Sequence, residues 1–88
     1  MEIEFDPAKD AANIVKHGIS LTRAAEMDVL AFVDDTNRYE EPRYRLYGMI
    51  GAEAYCLAAV DRGLKVRVIS LRRAHRREME RYVEQIGF

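Results

Sequence analysis

The chain of 88 residues is 49% hydrophobic and 33% charged with 5 Gly and 2 Pro, which excludes a disordered or fibrous protein and leaves length for one domain over residues 1–88. No uncharged stretch approaches the roughly 20 apolar residues of a membrane crossing, the acidic N-terminus is unlike a signal peptide, and Cys56 has no second cysteine to pair with, so a cytoplasmic protein without membrane association is expected. The net charge of -1 is unevenly spread, since residues 1–60 carry six Lys and Arg against eleven Asp and Glu and residues 61–88 carry eight against four, so any polyanion contact should be local.

Ile3 and Phe5 alternate with Glu2, Glu4 and Asp6, the period of a short half-buried strand. Asp6 followed by Pro7 is an N-cap and first helical residue, and Gly18 after His17 supplies a left-handed stop. Ala8, Ala11, Ala12 and Val15 form the expected apolar stripe of that helix. A second helix is expected from the Ser20 cap through Leu21, Ala24, Ala25 and Met27 to about Ala31. Asp28 falls on its apolar line, so either it faces a cation across the core or the helix is rotated from this register. Asp34 to Pro42 reads as a loop. Arg43 to Ile50, Ala54 to Val60 and Leu64 to Leu71 read as three strands of an antiparallel meander joined by short turns. From about Ala74 a last helix carries His75, Met79, Tyr82, Val83 and Ile86 on one stripe. The expected fold is therefore α+β, in the order β-α-α-β-β-β-α, with helices packed on a small antiparallel sheet.

Glycine-rich phosphate loops and nucleophile elbows are absent, and two histidines with one cysteine make a thin inventory for a metal. No cofactor or metal is expected. What remains is arginine: Arg67 on the third meander strand, then Arg72, Arg73, Arg76 and Arg77 at its end and on the last helix, which can converge at one sheet end. Their planar, permanently charged forks match phosphate oxygens. The competing reading has the helical arginines solvated or paired with Glu78 and Glu80. Arg67 alternates with inward Leu64, Val66 and Val68, so it points to the opposite sheet face, near Arg43 or Arg45 of the first meander strand. His17, at a helix C-terminus, fits an imidazolium stabilised by the macrodipole better than a catalytic group. His75 and Tyr82 read as core residues first, and Cys56 as packing.

The chain also resembles the BrnT family of type II toxin-antitoxin systems, small ribonuclease toxins with a RelE-like fold. The opening phrase F-x-x-x-K-x-x-x-N-x-x-x-H-G is present as Phe5, Lys9, Asn13, His17 and Gly18, and the closing phrase as Arg67, Ile69, Ser70, Arg72, Ala74, Glu78 and Tyr82. The middle phrase R-x-Y-G-E-x-R is one residue short and lacks its glycine, running Arg38, Tyr39, Glu40, Glu41, Pro42, Arg43. The resemblance implies a metal-independent endoribonuclease that uses the ribose 2′-OH as nucleophile. It also implies a BrnA-type antitoxin with a ribbon-helix-helix part, through which alone operator DNA would be reached. On that reading Arg67 and Arg72 hold the scissile phosphate. Lys9, His17, Glu41 and Tyr82 are candidates for proton transfer or positioning, and Arg43, Arg45, Arg73, Arg76 and Arg77 for RNA binding. The alternative is a non-catalytic nucleic-acid-binding or regulatory partner protein of the same fold.

Overall fold

The computed structural model describes residues 1–84. Its first strand, β1 (Ile3–Glu4), leads into α1 (Pro7–His17), where the Asp6 carboxylate accepts the Ala8 N–H at 2.8 Å and Gly18, at φ 73°, ends the helix by donating its N–H to Ile14. A 3₁₀ turn (Leu21–Glu26) follows, then β2 (Asp28–Asp34), a one-turn helix α2 (Thr36–Tyr39), the strands β3 (Arg43–Ile50), β4 (Glu53–Asp61) and β5 (Val66–Arg73), and α3 (Arg76–Tyr82). The strands form one sheet in the order β1-β5-β4-β3-β2. All neighbours are antiparallel except β1, which pairs parallel to β5 through Ile3 opposite Val66 and Glu4 opposite Arg67. The sheet is thus mixed rather than purely antiparallel.

Each sheet face carries a core. On one, the 3₁₀ turn packs Leu21, Ala24 and Met27 against Leu57, Ala59, Val68 and Leu71. On the other, Val83, Met79 and Tyr82 at the end of α3 pack against Ala31, Tyr47 and Cys56. Ile86, expected on the same stripe of the last helix, lies outside the described residues.

Several expectations are corrected. The segment read as a helix to Ala31 turns extended at Met27 and becomes β2, because five apolar residues bounded by Asp28 and Asp34 satisfy a strand beside β3. Asp28 is exposed there, so it needs no buried cation. Its carbonyl lies so near Gly48 that a Cβ on that glycine would stand 2.1 Å from the oxygen, and only glycine admits this approach of β2 to β3. The loop before β3 contains α2, and Leu64, expected to face inward, is 94% exposed in the β4–β5 turn. The apolar stripe of α1 is also on the wrong side: Ala8, Ala11, Ala12 and Val15 face solvent, and the residue it buries is Asn13. His75 is not a core residue but the exposed N-cap of α3.

A bulge in β5 decides which arginines share a face. Ser70 stands opposite Ala58 and Val68 opposite Ala59, leaving Ile69 as the extra residue. Without it Arg67 and Arg72, five apart, would point to opposite faces; with it, Arg67 opposite Val60 and Arg72 opposite Cys56 point to the same one. Arg43, Arg45 and Tyr47 of β3 share that face, as their register with Val60, Ala58 and Cys56 requires.

Candidate functional site

Lys9, Asn13, Lys16 and His17 lie at offsets of four, seven and eight residues, one face of α1. With Ala12, they border a groove of about 340 Å3 whose opposite wall is Ile69, Ser70 and Arg72 of β5. Asn13 places the helix there. Since β1 ends opposite Arg67, the edge of β5 farther along has no neighbouring strand. The Asn13 amide substitutes for one, donating to the Leu71 and Ile19 carbonyls at 2.8 and 2.9 Å and accepting the Leu71 N–H at 3.1 Å. Asp10, one turn earlier, accepts from Ser20 Oγ at 2.9 Å and from Leu21 N–H at 2.7 Å, tying the same face of α1 to the 3₁₀ turn.

His17 titrates below its ordinary range, first because of partial burial and then because Lys16 and Arg72 repel a third positive charge. These causes outweigh the helix C-terminus, whose dipole acts in the other direction. At neutral pH the imidazole is uncharged and able to accept a proton.

Arg72 joins the groove to a polar chain under α3. Its two terminal nitrogens donate to the two carboxylate oxygens of Glu78 at 2.7 and 2.8 Å. Glu78 also accepts from the Tyr47 hydroxyl at 2.7 Å and the His75 N–H at 3.0 Å, and the Arg72 fork above all holds its carboxyl down to about 2. Tyr47, wholly buried, accepts from Arg45 at 3.1 Å, and burial pushes its phenol well above the usual range. Arg45 in turn grips Asp35 through contacts of 2.8 and 3.3 Å. The Tyr82 ring stacks on Tyr47 at 5.0 Å with Arg45 5.3 Å from its centre. A continuous run from Asp35 to Arg72 therefore crosses three strands and ends at the groove.

Of the residues expected to carry chemistry, Lys9, His17 and Arg72 meet in the groove, whereas Arg67, Glu41 and Tyr82 do not line it. Arg67 pairs with Glu4 at 3.0 Å, five residues and roughly 15 Å of strand from Arg72. Glu41, in the loop after α2, lies 3.6 Å from Arg43, whose guanidinium covers the Tyr39 ring at 4.0 Å. Arg73 pairs with Glu53 and Arg76 with Glu80 at 3.1 Å, while Arg77 is exposed with no carboxylate partner among the described residues. Arg67 thus stands apart from Arg72, Arg73, Arg76 and Arg77, which sit together where β5 passes into α3. Sequence reasoning missed Lys16 and Ser70 as groove residues and Asp35, Tyr47 and Glu78 as supports. The helical spacing of Lys16 from Lys9, Asn13 and His17 could have found the first, and the closing phrase that holds Ser70, Arg72 and Glu78 could have found the second and the last.

Among the described residues no helix is long and apolar enough to cross a membrane, and no three His, Cys, Asp or Glu side chains are grouped to hold a metal ion. The structure is similar to that of the ribonuclease toxin BrnT of Brucella abortus, solved at 1.1 Å, with a TM-score of 0.62 and 24% identity over 86% of this chain and 99% of that one. That likeness carries the α+β fold. No curated protein matches the sequence. The family model that does match is described as the ribonuclease toxin BrnT of type II toxin-antitoxin systems, and it spans residues 5–78. With most of its length inside that match, the chain belongs to the BrnT family of ribonuclease toxins.

Proposed function

We propose that this chain is a metal-independent endoribonuclease of the cytoplasm, RelE-like in fold, that cuts RNA by attack of the ribose 2′-oxygen on the adjacent phosphorus. The observation that carries this reading is the meeting of His17, whose imidazole is held below its ordinary range, with Lys9, Lys16 and Arg72 around one groove. His17 accepts the 2′-OH proton as the new P–O bond forms. The P–O5′ bond breaks, leaving a 2′,3′-cyclic phosphate and a 5′-hydroxyl end. Lys9 donates the proton that makes the departing 5′-oxygen a hydroxyl, and Lys16 and Arg72 offset the charge that builds on the phosphorane. Arg72 works through its charge and its Nε–H, since its terminal nitrogens are bound to Glu78. Arg43, Arg45 and Arg67, on one sheet face, extend the phosphate track, and Arg73, Arg76 and Arg77 meet RNA beyond α3. Tyr82 and Glu41 act at a distance, Tyr82 by covering Tyr47 and Glu41 by steadying Arg43.

In the cell the toxin is held by a BrnA-type antitoxin whose ribbon-helix-helix part is the sole route to operator DNA; the family's place in type II systems supports this. The test is a short RNA incubated with the purified chain in excess EDTA. Cleavage to cyclic-phosphate ends is expected, with none when the scissile nucleotide is 2′-deoxy and at least about a hundredfold loss in His17→Ala. RNA that is retained but never cut would put the non-catalytic binding module in its place.

A further inference from the structure

The core beneath the 3₁₀ turn runs out into the open at the start of β5, at the far end of that strand from the groove. There Tyr44 and Leu46 of β3, Ala59, Val60 and Asp61 of β4, and Val66 line a pocket of about 250 Å3 in which Asp61 alone is charged. Leu46 and Val66 are the half-buried margin of the main core. Phe32, opposite Leu46 on the free edge strand β2, is 66% exposed and sets its ring edge-on to Tyr44 at 6.1 Å. Leu64, 94% exposed, stands in the turn that links Asp61 to Val66. A lone exposed apolar side chain is ordinary, but a pocket continuous with an exposed Phe and flanked by a bare Leu is a surface that water covers poorly.

The rim of this pocket carries exposed charge of both signs. Asp34, opposite Tyr44, and Asp61 are both exposed, and neither has a Lys or Arg partner among the described residues, although Arg62 and Lys65 share the turn with Asp61. Both carboxylates are oriented locally, Asp34 by the Thr36 N–H and Asp61 by the Gly63 N–H, each at 2.8 Å.

We infer that this pocket is the seat of the antitoxin: a segment of the partner inserts a bulky aliphatic or aromatic side chain between Tyr44, Leu46 and Val66 and sets Lys or Arg against Asp34 and Asp61. The inference rests on the toxin reading for the partner's existence and adds where it docks and by what chemistry. Cations on that segment are repelled by Lys9, Lys16 and Arg72 and attracted by Asp34 and Asp61, which keeps docking away from the groove.

The test titrates separately purified antitoxin into wild-type toxin and into a Phe32→Ala, Asp34→Asn, Asp61→Asn triple variant. Asparagine keeps the acceptor for Thr36 and Gly63 and removes only the charge. The triple variant should bind at least about tenfold more weakly, with a flatter salt dependence, while it stays folded at the assay temperature and its RNA cleavage is that of the wild type. Val15→Ala, on the exposed face of α1, should bind as the wild type does. Hydrogen exchange in the complex should slow at residues 44–46 and 59–66. Unchanged antitoxin affinity in the triple variant, or protection confined to residues 9–17 and 69–72, overturns the inference. So does self-association of the wild type that the triple variant loses, which would make the pocket a contact between copies. A wild-type chain that cuts no RNA while the triple variant still loses its antitoxin would sink the ribonuclease reading and leave the docking site standing.

Discussion

Replacing Arg72 with Ala should destabilise the fold as well as the proposed chemistry, contrary to what its place in an arginine-rich stretch suggests. The guanidinium is the main reason that Glu78 titrates at about 2 rather than 4.5. Holding a carboxylate that far down corresponds to at most about 3 kcal/mol, and screening of side chains that keep 30% and 18% exposure reduces this to about 2 kcal/mol. In a domain of this size that loss lowers Tm by about 10 °C. The sign of the pH dependence follows from the direction of the shift. A depressed pKa stabilises the fold fully above 4.5 and ceases to do so as pH falls through about 2. The gap in Tm between wild type and Arg72→Ala should therefore be widest near neutral pH and close towards pH 2. Glu78→Gln, which keeps the shape but not the charge, should lower Tm at pH 7 and flatten the same acid limb. Thermal melts at half-unit pH steps decide the matter. Equal melting temperatures at pH 7, or a gap that does not change with pH, would refute the claim that this ion pair stabilises the site.

Arg67→Ala should behave differently, because its partner Glu4 is 38% exposed and such a pair contributes about 1 kcal/mol or less; the Tm should move by only a few degrees. Asn13→Ala removes three bonds and leaves the Leu71 and Ile19 backbone groups unpaired in the core, a loss of about 3 kcal/mol measurable by urea unfolding. Since His17 must be uncharged to accept a proton, kcat/KM for RNA should rise with pH through a midpoint below 6.5, and Lys16→Ala should move that midpoint upward by removing a repelling charge. A midpoint at or above 6.5 in the wild type would take His17 out of the role of base.

Local rules carried much of the fold because they concern neighbours in sequence: Asp6 with Pro7, Gly18 and the short turns of the meander act within a few residues. They failed where the answer lay across the sheet. The face that α1 buries was misread because its alanines carry so little apolar surface that an amide completing the edge of β5 outweighs them, and no periodicity of hydrophobic residues reports an open strand edge. The common face of Arg67 and Arg72 depends on one unpaired residue, Ile69, and a parity count along the sequence cannot register it. Regional charge misled for a related reason. Much of the surplus in residues 61–88 is spent inside the protein, where Glu4 and Glu53 from the acidic part of the chain neutralise Arg67 and Arg73, and Glu78 takes the fork of Arg72. Lys9 and Lys16, from that same acidic part, have no carboxylate partner among the described residues, and they line the groove. The potential that an RNA phosphate meets there is set by which cations the fold leaves unpaired, so its main source is a helix that composition assigns to the negative side of the molecule.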